Sequence, residues 1–255
     1  MRVYATATDH DGQLLNRDLP LLRSQQATLG WEHRFAGEGY LKTEAFWQYF
    51  FDVPVGNEAP WFSVLNMINE PATTRLTPDG TGTRYGLELT VDRPLTGSFF
   101  VHGGATLFRS LWTDAAGRSH PSRFDRGWGT TLTVGRERVR HKVTRTLINQ
   151  LSVSGIAGGG MRETPIDLAA TLYTGTTQWD ASQPFAERLP AYFRIDLRWS
   201  RRWEKEGRSS LLALDIQNLT NRQNVAWRYY DAVQQQVVTK YQLGLIPVLT
   251  WRLEF

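Results

Sequence analysis

The sequence contains no cysteine, which excludes disulfides, thiolate metal sites and cysteine nucleophiles. No run approaches the roughly 18 apolar residues that a membrane-spanning helix needs. That absence excludes spanning helices only, because a transmembrane barrel hides its apolar face in alternation. Blocks of like charge are also missing. The 29 basic and 25 acidic residues are interspersed and the net charge is only +4, so nucleic acid is not indicated as a partner. The N-terminus, MRVYATATDHDGQ, lacks a basic head followed by an apolar stretch. No signal peptide is read there, and the expectation is that Met1 is an internal methionine of a longer chain.

Aromatic side chains, by contrast, are plentiful: 10 Trp, 9 Tyr and 12 Phe. Such a load suits the interfacial girdles of membrane barrels, and it also suits sugar-binding β-proteins. Hydrophobic residues make up 41% and charged residues 21% of 255 positions, enough to bury a core in one domain or two.

Apolar residues recur with period 2. In TRYGLELTVDR, Tyr85, Leu87, Leu89 and Val91 share one face, opposite Arg84, Glu88, Thr90 and Asp92. In YFRIDLRWSRRW, Phe193, Ile195, Leu197 and Trp199 oppose Arg194, Asp196, Arg198 and Ser200. No long stretch repeats at 3.6, so the pattern is that of strands. About ten are expected, near residues 2–8, 25–35, 40–51, 83–93, 97–110, 125–136, 144–158, 190–203, 209–220 and 241–255.

The connections sort by length. Those at 9–24, 52–82, 111–124, 159–189 and 221–240 are long, and those at 36–39, 94–96, 137–143 and 204–208 are short. A meander with short turns at one end and long loops at the other is the pattern of outer-membrane barrels, and a soluble sandwich has no physical reason to produce it. Most of the expected strands also approach the length that crosses a bilayer at about 45°. The chain ends YQLGLIPVLTWRLEF, in which Tyr241, Leu243, Leu245, Pro247, Leu249, Trp251, Leu253 and Phe255 alternate with more polar positions. Odd positions are expected to face lipid, and Gln242, Arg252 and Glu254 an aqueous interior.

That terminal strand closing on Phe resembles the signal that bacterial outer-membrane proteins present to the barrel-assembly machinery, with Tyr241, Leu243, Leu245, Leu249, Trp251, Leu253 and Phe255 in the matching positions. More broadly, the chain resembles the C-terminal half of TonB-dependent outer-membrane receptors of the Bacteroidetes type. The matching segments are LKTEAFWQYFFDVPV, WFSVLN, GTGTRYGLELTVDR, GGGMRETPID, ERLPAYFRIDLR, LALDIQNLTNRQNV and the final strand, in the expected order. The resemblance implies an all-β, antiparallel meander forming part of a transmembrane barrel of about 22 strands. Residues 1–255 would be a partial barrel without the plug domain or the TonB-contacting segment. It further implies a location in the outer membrane of a Gram-negative cell. The implied partners are outer-membrane lipid and the assembly machinery, with the TonB complex reached only through the missing N-terminal part.

No catalytic or cofactor-binding constellation emerges. The histidines His10, His33, His102, His120 and His141 are scattered without metal-ligand spacing. Glu88 and Asp92 share a face, as a glycosidase pair would, but Arg84 beside them favours a charged lumen network. Asp196 between Arg194 and Arg198 reads the same way. AGGGMRE lacks the GK[ST] ending of a phosphate loop and is read as a flexible strand exit. No G-x-S-x-G elbow is present. The chain is therefore read as a non-enzyme without cofactor or metal. Ligand contacts are expected in the long loops, with Trp61, Phe62, Trp112, His120, Tyr173 and Trp179 as the ligand-facing candidates, and Asn66 and Phe185 near them. The expected function is import of a scarce, bulky ligand (ferric siderophore, cobalamin, oligosaccharide or peptide), with the isolated fragment inactive. The alternatives are a secreted soluble β-rich carbohydrate-binding module and a β-rich hydrolase.

Overall fold

Segments alternating between β-branched or aromatic residues and polar ones satisfy their backbone groups by pairing with neighbours. In the computed structural model, which describes residues 8, 12–35, 39–57, 61–67, 72 and 74–255, nearly every such segment does so. The strands are β1 (Arg23–Arg34), β2 (Tyr40–Gly56), β3 (Leu76–Thr96), β4 (Phe99–Thr113), β5 (Ser119–Pro121), β6 (Trp128–Lys142) and β7 (Arg145–Gly158). They continue with β8 (Arg162–Glu163), β9 (Glu187–Arg188), β10 (Tyr192–Lys205), β11 (Arg208–Gln217), β12 (Val225–Asp231), β13 (Gln236–Tyr241) and β14 (Ile246–Glu254). A short helix, α1 (Leu168–Thr174), is capped by Asp167 accepting from the Ala170 amide. No helix is long and apolar enough to cross a membrane.

One ten-stranded sheet runs β1-β2-β3-β4-β6-β7-β10-β11-β14, with β5 attached to β4. Every pairing is antiparallel between consecutive long strands. The fold is thus the all-β antiparallel meander expected. The expected strand at 2–8 and the link at 36–38 lie outside the described residues, Thr8 and its bridge to Leu14 excepted.

Several boundaries differ from expectation. β2 and β3 extend to 17 and 21 residues, because pairing continues through bulges that join Val53 to Gly80 and Val55 to Thr77. The charged segment 137–143 is not a turn. β6 and β7 stay paired down to Lys142 and Arg145, since its alternation persists even where both faces are polar. The final strand begins only at Ile246. Tyr241 instead ends β13, and the Leu245 amide is held by Asn221 Oδ1 at 3.0 Å, which draws residues 242–245 into the loop region. The glycines of AGGGMRE are not a flexible exit: Gly158, Gly159 and Gly160 are buried. A Cβ on Gly159 would lie 1.9 Å from the Arg126 carbonyl, and one on Gly160 1.7 Å from the Leu189 carbonyl, so close backbone approach dictates glycine here.

The register divides the sheet into two faces. One carries Leu87, Leu107, Leu132, Val153, Leu197 and Leu214 in successive strands, extended by Leu249, Trp251 and Leu253 in β14. The other carries Lys42, Glu44, Asp92, His102, Arg194, Asp196, Arg198 and Asp215. These form short pairs, Lys42–Glu44 at 2.8 Å, His102–Asp92 at 2.7 Å, Arg194–Asp196 at 2.7 Å and Arg198–Asp215 at 2.6 Å. Arg84, Glu88 and Asp92 share this charged face. Among the described residues no second protein layer covers the apolar face: Leu107 is 63%, Leu249 71% and Trp251 70% exposed. Buried apolar residues are few, and Phe50, Val53, Val55 and Trp112 cluster at the long-loop end. Burying an arginine on the lipid side costs about 2–4 kcal/mol at mid-bilayer. If the apolar face meets lipid, Leu249→Arg in the full-length protein is expected to lower sharply the amount of assembled, heat-modifiable barrel in membranes. Unchanged levels on gels run with and without boiling would contradict the outward placement of Leu249.

Candidate functional site

The described parts of the long connections lie at one end of the sheet, where two buried carboxylates hold several of them. Asp125 is fully buried. It accepts from the Ser110 amide at 2.9 Å, from Arg162 Nε at 3.0 Å and from Arg188 Nη2 at 3.5 Å, with Arg109 Nε at 3.7 Å. This carboxylate thereby ties β4 to β8 and β9. Asp114 holds the β4–β5 turn, accepting from the Ala116 and Arg118 amides, from Arg118 Nε at 2.8 Å and from His120 Nε2 at 3.0 Å. Burial alone raises the Asp114 carboxyl, but the hydrogen bonds from His120 and Arg118 outweigh it and hold the group below its ordinary value.

On this platform lies a cavity of about 340 Å³ lined by residues from 61–67 and 163–185 and by Arg123. Trp61, Phe62, Trp179 and Phe185 supply its aromatic walls, with the Trp61 and Phe62 rings edge to face at 6.0 Å. Asn66, Arg123, Glu163, Thr164 and Gln178 supply polar groups. Asn66 is fixed by the 3-10 turn Val64–Asn66, and its Oδ1 accepts from Ser122 Oγ and the Arg123 amide, both at 2.9 Å. Its Nδ2 is buried without an acceptor among the described residues. Glu163 pairs with Arg228 of β12, which also engages Glu187. Burial raises the Glu163 carboxyl above its ordinary value despite that guanidinium. Apolar walls with a few fixed polar groups are the usual make-up of a small-molecule pocket.

Of the loop residues singled out in the sequence, Trp61, Phe62 and Trp179 come together here, joined by Asn66 and Phe185. Trp112 does not: it is 1% exposed, packs on His120 with ring centroids 5.0 Å apart and donates through Nε1 to the Pro121 carbonyl. His120 is occupied by Asp114, and Tyr173 on α1 points away, 92% exposed. Arg123, Glu163 and Gln178 were not singled out; nothing in a single sequence marks three separated polar loop residues as converging. Among the described residues, no three His, Asp or Glu side chains are gathered as a metal site.

No known family's sequence model matches the chain, and no curated protein matches it. Among solved structures, the fold is similar to FpvA of P. aeruginosa, solved bound to heterologous pyoverdines and iron. The TM-score is 0.55 at 10% sequence identity, covering 98% of this chain and 29% of FpvA. The chain thus spans less than a third of the length of that neighbour, and the likeness is one of fold.

Two outcomes follow for the platform. Removing one member of a buried ionic cluster costs about 3–5 kcal/mol, so Asp125→Ala is expected to speed hydrogen exchange at the Ser110 amide and proteolysis of the loop end, leaving the sheet intact. Asp114 ionises below its unfolded value, so its contribution is full above the ordinary carboxylate range and is lost as pH falls through the lowered value. Amide protection at Ala116 and Arg118 should show that acid dependence, and Asp114→Asn should abolish it.

Proposed function

We propose that the chain is the C-terminal barrel portion of a TonB-dependent outer-membrane importer for a scarce, bulky ligand. The observation carrying this is the outward face, predominantly apolar and free of carboxylates across the regularly paired stretches of nine consecutive long strands, backed by a charged inner face. In lipid each backbone group must pair within the protein, and only a closed sheet achieves that. β1 and β14 have one partner strand each among the described residues, so closure calls for further strands, toward the roughly 22 of plugged transporters. The short turns then face the periplasm and the long loops the exterior, where the aromatic cavity opens to an arriving ligand. Ferric siderophore, cobalamin, oligosaccharide and peptide are the candidate ligand classes. Energy coupling belongs to a plug and TonB-contacting segment upstream, and the isolated chain, with two open strand edges, is expected to aggregate and not to transport.

The test is fractionation and uptake with the full-length protein. It should resist high-salt and carbonate extraction, migrate as a heat-modifiable barrel, and support ligand uptake only in cells with an intact TonB system. Release into the aqueous phase by carbonate would instead favour a soluble binding module.

A further inference from the structure

The outward face changes character toward the short turns. In the pairing register, Val101, Val134, Val153, Leu197 and Ile216 form an aliphatic row. The next row reads Phe99, Arg136, Leu151, Trp199 and Leu214, and the one beyond it Arg138, Asn149, Arg201 and Leu212. The row after that reads Arg140, Leu147, Trp203 and Ser210, and at the turns stand Lys142 opposite Arg145 and Lys205 opposite Arg208. No carboxylate occupies this face of β6, β7, β10, β11 or β14; Glu206, in the β10–β11 turn, is the nearest acid in sequence. Glu204 and Glu254 belong to the opposite face, where they lie 3.6 Å from Arg202 and 3.8 Å from Arg252.

Two of these cations lie along rings. The Arg136 guanidinium is 5.0 Å from the Phe99 centroid, and that of Arg201 is 5.9 Å from both Trp199 and Trp203 while its Nε donates to Asn149 Oδ1 at 2.7 Å. The outward cations at the long-loop end are matched differently: Arg23 meets Asp52 at 2.5 Å and Arg109 meets Asp125 at 3.7 Å. Among the described residues of the sheet, outward positive charge without a protein counterion is therefore confined to one end.

We propose that this belt seats the anionic head groups of glycerophospholipids in the leaflet on the short-turn side. The inference rests on the membrane-barrel reading above. Arginine forks match phosphate oxygens in bidentate fashion, indole rings favour the bilayer interface, and basic residues near an anionic surface are attracted to it individually. Long side chains rising from the edge of an aliphatic band reach that level by snorkelling. The succession of an aliphatic row, rows mixing arginine with Trp and Leu, and basic turn positions follows the order hydrocarbon, interface, head group.

The experiment compares spin-labelled phosphatidylglycerol with spin-labelled phosphatidylcholine as annular lipid around the full-length protein in phosphatidylcholine vesicles. Phosphatidylglycerol should be preferred by roughly threefold, and high salt should weaken the preference. Substituting Arg136, Arg138, Arg140 and Arg201 by Gln together should bring the ratio near unity, and the matching Lys substitutions should largely retain it. Equal association of both lipids with normally inserted protein overturns the proposal and leaves the barrel reading standing. Failure to insert into either vesicle overturns both. Should the Gln variant fail to assemble, the wild-type salt titration decides, and an absent or salt-independent preference counts against the belt.

Discussion

On the membrane-barrel reading proposed above, a peptide group in hydrocarbon has no water to bond with, and that requirement would account for the molecule's main features. It imposes long strands with continuous pairing. Because successive side chains point to opposite faces, it also forces each strand to be lipid-compatible on one side while remaining free on the other. A soluble protein of this length would gather Leu, Val and Trp into a central core. Among the described residues, the buried apolar cluster is Phe50, Val53, Val55 and Trp112 with a few neighbours, and many of the larger apolar residues, Leu87, Leu107, Leu132, Leu249 and Trp251 among them, stand exposed on one face of the sheet. On the proposed reading, hydrocarbon is the layer that covers that surface.

The long-loop end obeys different rules. Away from hydrocarbon its backbone can be satisfied by side chains, and Asp114, Asp125, Asn66 and Asn218 do so. Each is buried, and each accepts from a backbone amide, that of Ser110 in β4 for Asp125 and that of a loop residue for the other three. The cavity is a consequence of that stapling. Asn66 is positioned by Ser122 and Arg123, which Asp125 in turn fixes through the Asp125 amide to Ser122 carbonyl bond of 2.9 Å. The aromatic walls are thus mounted on a hydrogen-bonded frame, not on mobile loops, in line with the general need to pre-organise a binding site.

How much of this was legible in the sequence follows from the range of the interactions involved. Period-2 alternation is local, so the face assignment of Leu87, Leu197 and Leu249 and the sorting of loops could be read directly. Strand ends could not. Whether β6 stops at Arg136 or continues to Lys142 depends on Arg145 and its successors finding register across a two-residue turn, and Tyr241 leaves the last strand because Val225 pairs with it. The candidate site shows the same division. Loop aromatics announced themselves by type, whereas Trp112 and Trp179 differ only in what closes over them. Glu163 and Arg123 enter the cavity wall through the pairing of β8 with β9 and the Arg162 amide to Arg123 carbonyl bond at 3.0 Å, contacts that span loops.

Charge placement ties the two ends together. On the inner face acids and bases are interleaved and pair within the sheet, which suits an aqueous interior where exposed pairs contribute little to stability and mainly keep the wall hydrated. On the outer face the logic is reversed. A carboxylate near an anionic leaflet would be repelled, and a cation at mid-bilayer would be expelled, so the tolerated arrangement is cations alone at the rim. Arg136, Arg138 and Arg140 meet that condition while sharing β6 with Leu132 and Val134. Alternation places all five on one face, and distance from the turn separates the two chemistries. On the proposed reading, period-2 decides which side chains meet the membrane, and the position along the strand decides which layer of it they meet.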